Sequence, residues 1–199
     1  MTSTVVDREL PTEEAADLLE LTRDLVAREL LPRADKSEAA GAFPRELFAG
    51  LGELGLLSLP YPEEFGGGGQ PAINRLIVGE QLITAGAPIA AIWFADQQMG
   101  PTLIKYGTAD QQAEFLTGIL AGDTTWCIGM SEPNAGSDLA SLTTYARRDG
   151  DDFVINGQKI WTSFGAQADD CYLICRTSSD GPPHRGISEV IVPMDTPGI

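Results

Sequence analysis

The sequence predicts an α+β chain: an all-α helical domain over residues 1–122 followed by a β-domain over residues 123–199. Three observations carry that expectation. Apolar residues before Gly122 recur at helical spacing between recognisable caps. After Gly122 the composition turns to Thr, Val, Ile, Trp and Tyr broken by short turns. Asn156-Gly157 then separates two short apolar runs as a tight turn would.

The first helix is expected from Thr12 to about Leu31, with Leu18, Leu21, Leu25 and Val26 on one face, Thr12 as N-cap, Glu13 and Glu14 in the first turn and Pro32 as the stop. A second starts near Pro44, turns Leu47, Phe48, Leu51 and Leu54 to one side and ends at Gly55. Residues 56–71 hold Pro60, Pro62 and the run Gly66 to Gly69 and read as a loop; the run lacks the Lys-Ser/Thr tail of a phosphate-binding loop. Residues 72–120 are helical in composition, and the last helix there carries a capping box, Thr108 with Gln111, and stops at Gly122. In the β-domain a strand precedes Ser131. Phe153–Ile155 and Gln158–Trp161 form a hairpin about Asn156-Gly157, and Cys171–Arg176 and Ile187–Val192 are further strands. Cys171 and Cys175 face one side of theirs.

Bulk properties remove several function classes. A formal net charge of -16 argues against a nucleic-acid or anionic-membrane surface, which needs clustered Lys and Arg. The opening residues, MTSTVVDRELPTEE, carry no basic segment followed by an apolar run, and no window approaches the ~20 apolar residues of a membrane span, so no membrane insertion and a cytoplasmic location are expected. Three cysteines without a CxxC pair suit buried free thiols. His184 is the only histidine, which leaves no material for a His-centred triad or a Cys/His zinc site.

Two segments offer chemistry. In Trp126 to Ser141 a strand end presents the Ser131 hydroxyl, Pro133 fixes a turn, and the Gly136-Ser137 backbone leaves room for a bulky anionic group. Ile155 to Gly165 adds the Trp161 indole and the hydroxyls of Thr162 and Ser163. A flat aromatic ligand needs such a wall, such donors and such a turn, although composition alone favours an ordinary turn beside a core tryptophan.

The order of these segments resembles the acyl-CoA dehydrogenase family. Ser131-Glu132-Pro133-Asn134-Ala135-Gly136-Ser137-Asp138 is similar to that family's first signature, and Asn156 to Ser163, with Lys159-Ile160-Trp161-Thr162-Ser163, to its second. The likeness extends to Pro62–Gly67, Lys105-Tyr106-Gly107 and Arg185-Gly186-Ile187-Ser188. It departs where Ser131 and Ser163 stand in place of a frequent Thr and Asn134 in place of a frequent Gly.

The resemblance implies a β-domain that is an incomplete antiparallel barrel, with the family's C-terminal four-helix bundle absent from these residues. It also implies FAD as cofactor. Ile128 and Met130 would run beside the flavin, with the Met130 backbone and the Ser131 hydroxyl at its pyrimidine edge. Gly136 and Ser137 would meet the pyrophosphate, and Trp161 would lie against the ring system. Thr162 would contribute backbone contacts and Ser163 would reach the O4/N5 side, where donors meet charge as it develops. Ser137 and Arg185 would contact the CoA part of an acyl-CoA substrate.

The family's reaction is α-proton abstraction with hydride transfer to flavin N5. Its base, a Glu, belongs to the C-terminal region, so no residue here is assigned as catalytic; Glu63, Glu64, Glu132 and Asp138 are read as solvated or structural. The resemblance further implies a role in fatty acid or lipid metabolism, an electron-transfer flavoprotein or similar acceptor, and a homo- or hetero-tetramer. Two other readings stand beside it: a noncatalytic partner subunit of a hetero-oligomer, and another flavoenzyme of the same fold, an acyl-CoA oxidase or a flavin monooxygenase.

Overall fold

A computed structural model of the chain describes residues 10, 12–41 and 44–199. The opening stretch used above to judge leader sequences therefore lies largely outside the described residues. The chain divides into two compact units between Ile89 and Ala90.

The first unit is helical. Helix α1 (Glu13–Leu25) starts where the sequence says, with the Thr12 hydroxyl accepting a 3.1 Å bond from the Ala15 N–H. It does not stop at Pro32. A π turn over Val26–Leu30 and a 3₁₀ turn over Leu31–Arg33 carry the path into α2 (Ala34–Ala40). Pro32 cannot donate to the helical ladder, and the widened turn, in which the Leu31 N–H reaches back to the Val26 carbonyl, re-spaces the backbone around it.

Helix α3 (Arg45–Glu53) buries Phe48 and Leu51, whereas Leu54, expected on the same face, is 52% exposed. It ends in the predicted place: Gly55 takes a φ of 66°, and the N–H groups of Leu56 and Gly55 cap the carbonyls of Leu51 and Gly52. Residues 56–71 form a loop around a single 3₁₀ turn, Glu63–Phe65. A Cβ on Gly67 would collide with the Tyr61 backbone, so this glycine serves close packing. Helix α4 (Ala72–Thr84) packs along α1, and the Arg23 side chain donates to Gln81 at 3.2 Å.

The second unit opens with α5 (Ala90–Trp93), a π turn over Phe94–Met99, α6 (Gly100–Tyr106) and α7 (Ala109–Ala121). The capping box at Thr108 and Gln111 is present with both bonds, at 3.3 and 2.9 Å, and Gly122 ends α7 at a φ of 71°. Five strands follow: β1 (Trp126–Gly129), β2 (Tyr145–Asp149), β3 (Asp152–Asn156), β4 (Asp170–Arg176) and β5 (Ile187–Pro193).

They make one open sheet in the order β1-β4-β2-β3, with β5 also paired to β4. The sheet is mixed: β1 runs parallel to β4, and β2 meets β4 in parallel at Tyr145 and Arg176, whereas β2–β3 and β4–β5 are antiparallel. An incomplete antiparallel barrel was expected; the sheet is open and partly parallel, and the long excursion between β1 and β4 is what permits their parallel pairing.

The hairpin also differs from expectation. Its turn is Gly150-Asp151, joining β2 to β3, with Gly150 at a φ of 65°. Gln158 to Trp161 form no strand. Instead, a Cβ on Gly157 would strike Thr144, so the chain crosses there in close contact and leaves the sheet.

Cys127, Cys171 and Cys175 are free and buried in one core with Ala146, Ala168 and Leu173, so Cys171 and Cys175 do share a face. Trp126 is fully buried and meets Phe115 edge-on at 5.6 Å. Among the described residues no helix is long and apolar enough to cross a membrane.

Candidate functional site

The site is built at the end of β1. Ile128 is half-buried within the strand, Met130 emerges 41% exposed, and Ser131 is half-buried just beyond. The next four residues close a tight turn in which Glu132 and Ala135 exchange backbone bonds of 2.7 and 3.1 Å, with Pro133 at the position its fixed φ suits. Past it, Gly136 and Ser137 are exposed, and a Cβ on Gly136 would meet open space.

Alongside Met130 and Ser131 lies the arm that follows β3. The Ile160 N–H donates to the Ser131 carbonyl at 2.8 Å, and Lys159 Nζ donates to the Met130 carbonyl at 3.0 Å. These contacts set Trp161 next to the strand end. Its indole is 86% exposed, and its backbone sits at a φ of 59°, with the Ser163 N–H bonded to the Trp161 carbonyl at 2.9 Å. A bulky aromatic residue in the left-handed region is an outlier that surrounding contacts must hold, and Phe164, at a φ of 68°, is a second three residues on. Thr162 is half-buried and Ser163 exposed.

Beneath this surface lies a group that the sequence did not single out as important. Glu132 is 5% exposed. Its carboxylate accepts from the Thr143 N–H at 2.7 Å, the Thr143 hydroxyl at 2.8 Å, the Thr144 N–H at 2.8 Å and Lys159 Nζ at 2.9 Å. Burial alone would raise its pKa, but hydrogen bonds from Thr144, Thr143 and Lys159 outweigh it and hold the carboxyl well below the carboxylate range. Glu132 is therefore structural, as the sequence reading has it, and no local signal revealed its partner 27 residues away.

Asp170, at the start of β4, is shifted the other way. Burial, then the neighbouring carboxylates of Asp169, Glu114 and Asp195, push it up to about 6. The two groups give a signed prediction. A carboxyl depressed by folding, Glu132, contributes stability that is present above its ordinary value of 4.5 and is lost as pH falls through the folded value. A carboxyl raised by folding, Asp170, favours the folded state while protonated, so stability declines as pH rises from 3.8 through about 6. Urea unfolding between about pH 3 and pH 8 is expected to show a maximum near pH 4 to 5. Asp170→Asn should flatten the descent above that maximum and leave the acid limb in place.

The second cluster surrounds Arg176. Its guanidinium donates to the carbonyls of Ala140 and Pro183, both at 2.8 Å, and so ties the turn after Ser137 to the 3₁₀ segment Pro183–Gly186. Ser137 and the exposed Arg185 are thereby carried on two neighbouring segments. Arg176 was not anticipated; an arginine ending an apolar strand was the available signal.

A groove of about 750 Å³ opens against the sheet, lined by residues such as Gly129, Val154, Cys171, Leu173 and Met194. Of the residues expected to hold cofactor or substrate, only Thr162 lines it. Most of the expected site residues stand outside this groove, which the arm borders through Lys159 and Thr162.

That surface offers a flat heteroaromatic group an uncovered indole, the exposed hydroxyls of Ser137 and Ser163, and a glycine turn where an anion can approach. Residues 12–123 match the family model described as acyl-CoA dehydrogenase, N-terminal domain, and residues 127–199 match acyl-CoA dehydrogenase, middle domain. Among curated relatives, the acyl-CoA dehydrogenase FadE26 of Mycobacterium tuberculosis is 44% identical over 174 residues, covering 86% of this chain and 43% of its own. The mitochondrial short-chain specific acyl-CoA dehydrogenase of Homo sapiens is 34% identical across 96% of this chain and 46% of its own.

Among solved structures, the ChsE4-ChsE5 complex of Mycobacterium tuberculosis superposes with a TM-score of 0.86 at 41% identity, over 95% of this chain and 49% of that one. A glutaryl-CoA dehydrogenase of Mycobacterium smegmatis in complex with FADH2 superposes at 0.82 with 29% identity, over 94% and 47%. This chain thus spans about half the length of the relatives it matches. With both domain models matched in order along nearly all of its described length, the chain belongs to the acyl-CoA dehydrogenase family.

Proposed function

We propose that these residues are the flavin-holding part of an FAD-dependent acyl-CoA dehydrogenase, which desaturates an acyl-CoA thioester between its α and β carbons. The observation that carries the reading is Trp161: a large apolar ring left 86% exposed, on a backbone conformation that costs energy, beside the end of β1. A monomer surface gains nothing from such an arrangement, whereas a planar cofactor covers it.

The residues present fit FAD. Ile128 and the Met130 backbone border the ring's position, the Ser131 hydroxyl stands at its polar edge, and Trp161 walls one side. The Thr162 backbone and the Ser163 hydroxyl offer further donors. Gly136 leaves the space a pyrophosphate needs, and Ser137 stands ready to donate to it. Bound FAD supplies the acceptor for the substrate's β-hydrogen. This chain's own part is to bind and orient the ring, and to hold the CoA moiety with Ser137 and Arg185. Glu132, the carboxylate beneath this surface, is already saturated by four donors and is not offered as the group that takes the α-proton. By itself the 199-residue chain is expected to bind FAD weakly and to desaturate nothing.

A second reading has support of its own. Two of the similar structures, the ChsE4-ChsE5 complex and the Tcur3481-Tcur3483 steroid ACAD, are two-component assemblies. In that reading the chain is one component of a hetero-oligomer and borders a neighbour's flavin.

The test is an anaerobic titration of the protein extended through its downstream coding region, loaded with FAD and followed by visible absorbance as an acyl-CoA is added. Bleaching is the expected result. An extended protein that bleaches and whose reduced flavin is then rapidly reoxidised by oxygen is a same-fold oxidase, and one that holds FAD but bleaches with no straight, branched or sterol-derived acyl-CoA does not desaturate these substrates. One that holds no flavin supports the partner-subunit reading.

A further inference from the structure

We infer that the buried Glu132–Lys159 pair is a positioning lock, which sets where the Trp161 arm stands against the end of β1. The inference rests on the flavin reading only for its consequence; the lock itself is a statement about this chain.

The arm between Gly157 and Trp161 belongs to no strand, so no ladder of backbone bonds fixes it. Three contacts hold it instead. Gly157 passes so close to Thr144 that no side chain fits between them. The Ile160 N–H reaches the Ser131 carbonyl at 2.8 Å. Lys159 turns inward, 10% exposed, and divides its ammonium between Glu132 Oε1 at 2.9 Å and the Met130 carbonyl at 3.0 Å. Two consecutive carbonyls at the end of β1, those of Met130 and Ser131, are thus tied to two consecutive residues of the arm. The next residue is Trp161.

Stability does not explain the pair. A buried ion pair is commonly neutral or worse against a well-packed apolar replacement, because desolvation offsets the attraction. What it supplies is direction. Glu132 is held rigidly by both N–H groups and the hydroxyl of the Thr143-Thr144 segment, so the ammonium has one place to sit, and from there it reaches one backbone carbonyl. Lys159 and Glu132 are positioning residues: neither touches the proposed ring position, and both act through the Met130–Ser131 backbone and Trp161.

The test uses protein labelled with 5-fluorotryptophan, with the Trp161 resonance identified by its loss in Trp161→Phe. Wild type is compared with the double variant Lys159→Met/Glu132→Gln, which removes both charges and leaves none stranded, and with Lys159→Arg, which keeps the ion pair but replaces a compact point charge by a planar fork. The double variant is expected to melt below wild type yet to fold, because the single amide oxygen left at position 132 can accept from only one of the two N–H groups of the Thr143-Thr144 segment. Its Trp161 ¹⁹F line should shift or broaden without ligand, and its FAD dissociation constant should rise at least about tenfold, the worth of one charge-assisted hydrogen bond. Lys159→Arg should move the same line, and it decides the matter if the double variant does not fold.

An unmoved Trp161 line in a folded variant overturns the lock, whatever the FAD affinity. If wild type binds no FAD yet the line moves, the lock stands and the flavin reading falls.

Discussion

Gly186→Ala is expected to destabilise the β-unit by about 3 kcal/mol, the upper end of the range for forcing a methyl into a packed site. A Cβ there would fall inside the van der Waals shell of the Ser178 carbonyl and come within 2.9 Å of Arg176 Nη1. Neither neighbour can retreat cheaply. The Gly186 carbonyl accepts from the N–H groups of Thr177 at 2.9 Å and Ser178 at 3.4 Å, which fixes the two segments at this separation. Arg176 is committed to the carbonyls of Pro183, Ala140 and Leu142. Relief therefore means giving up the bridge that carries Ser137 beside Arg185. Thermal unfolding should show a fall of roughly 6–12 °C for a chain of this size. Gly136→Ala is the control: its methyl enters open space, its φ is not in the left-handed region, and its melting temperature should stay within about 1–2 °C of wild type.

Much of the helical structure in both units was legible because its signals are local. The Thr12 cap, the Thr108–Gln111 box and the glycine stops at Gly55 and Gly122 each depend on residues within a turn or so of one another, and each was found where the sequence put it. Pro32 misled because a π turn can lead the chain past a proline, and no residue type marks that turn in advance. The hairpin was misplaced for a related reason. Asn156-Gly157 and Gly150-Asp151 are both good turn dipeptides on either side of Phe153–Ile155, and local chemistry does not rank them. What decides is tertiary: Lys159 is drawn inward to Glu132, which takes its segment off the sheet.

The parallel pairing of β1 with β4 was invisible for the same cause, since Trp126 meets Asp170 across 44 residues. At the candidate site, Met130, Ser131, Gly136, Ser137, Trp161 and Ser163 are the residues that the two signature segments single out. The interior that holds them in place, Glu132 with Lys159 and Arg176 with its three carbonyl partners, was not legible.

The second large effect concerns the flavin face. Trp161→Ala and Ser137→Ala should each weaken FAD binding while leaving the fold intact. Trp161 is 86% exposed and Ser137 is exposed, so truncation removes little buried area from the ligand-free chain and should change its melting temperature by no more than about 1–2 °C. Stacking a flat heteroaromatic ring on an aromatic side chain is worth about 1–3 kcal/mol, so Trp161→Ala should raise the FAD dissociation constant by roughly ten- to hundredfold. Ser137→Ala, which removes one charge-assisted bond to a phosphate, should raise it about tenfold. The most direct test is therefore a fluorescence titration of the extended protein with FAD, for wild type and Trp161→Ala side by side. The account predicts a dissociation constant at least about tenfold higher in Trp161→Ala at an unchanged melting temperature. Equal affinity in the two proteins would contradict it, because the exposed indole that the fold holds out beside the end of β1 would then have no part in holding the cofactor.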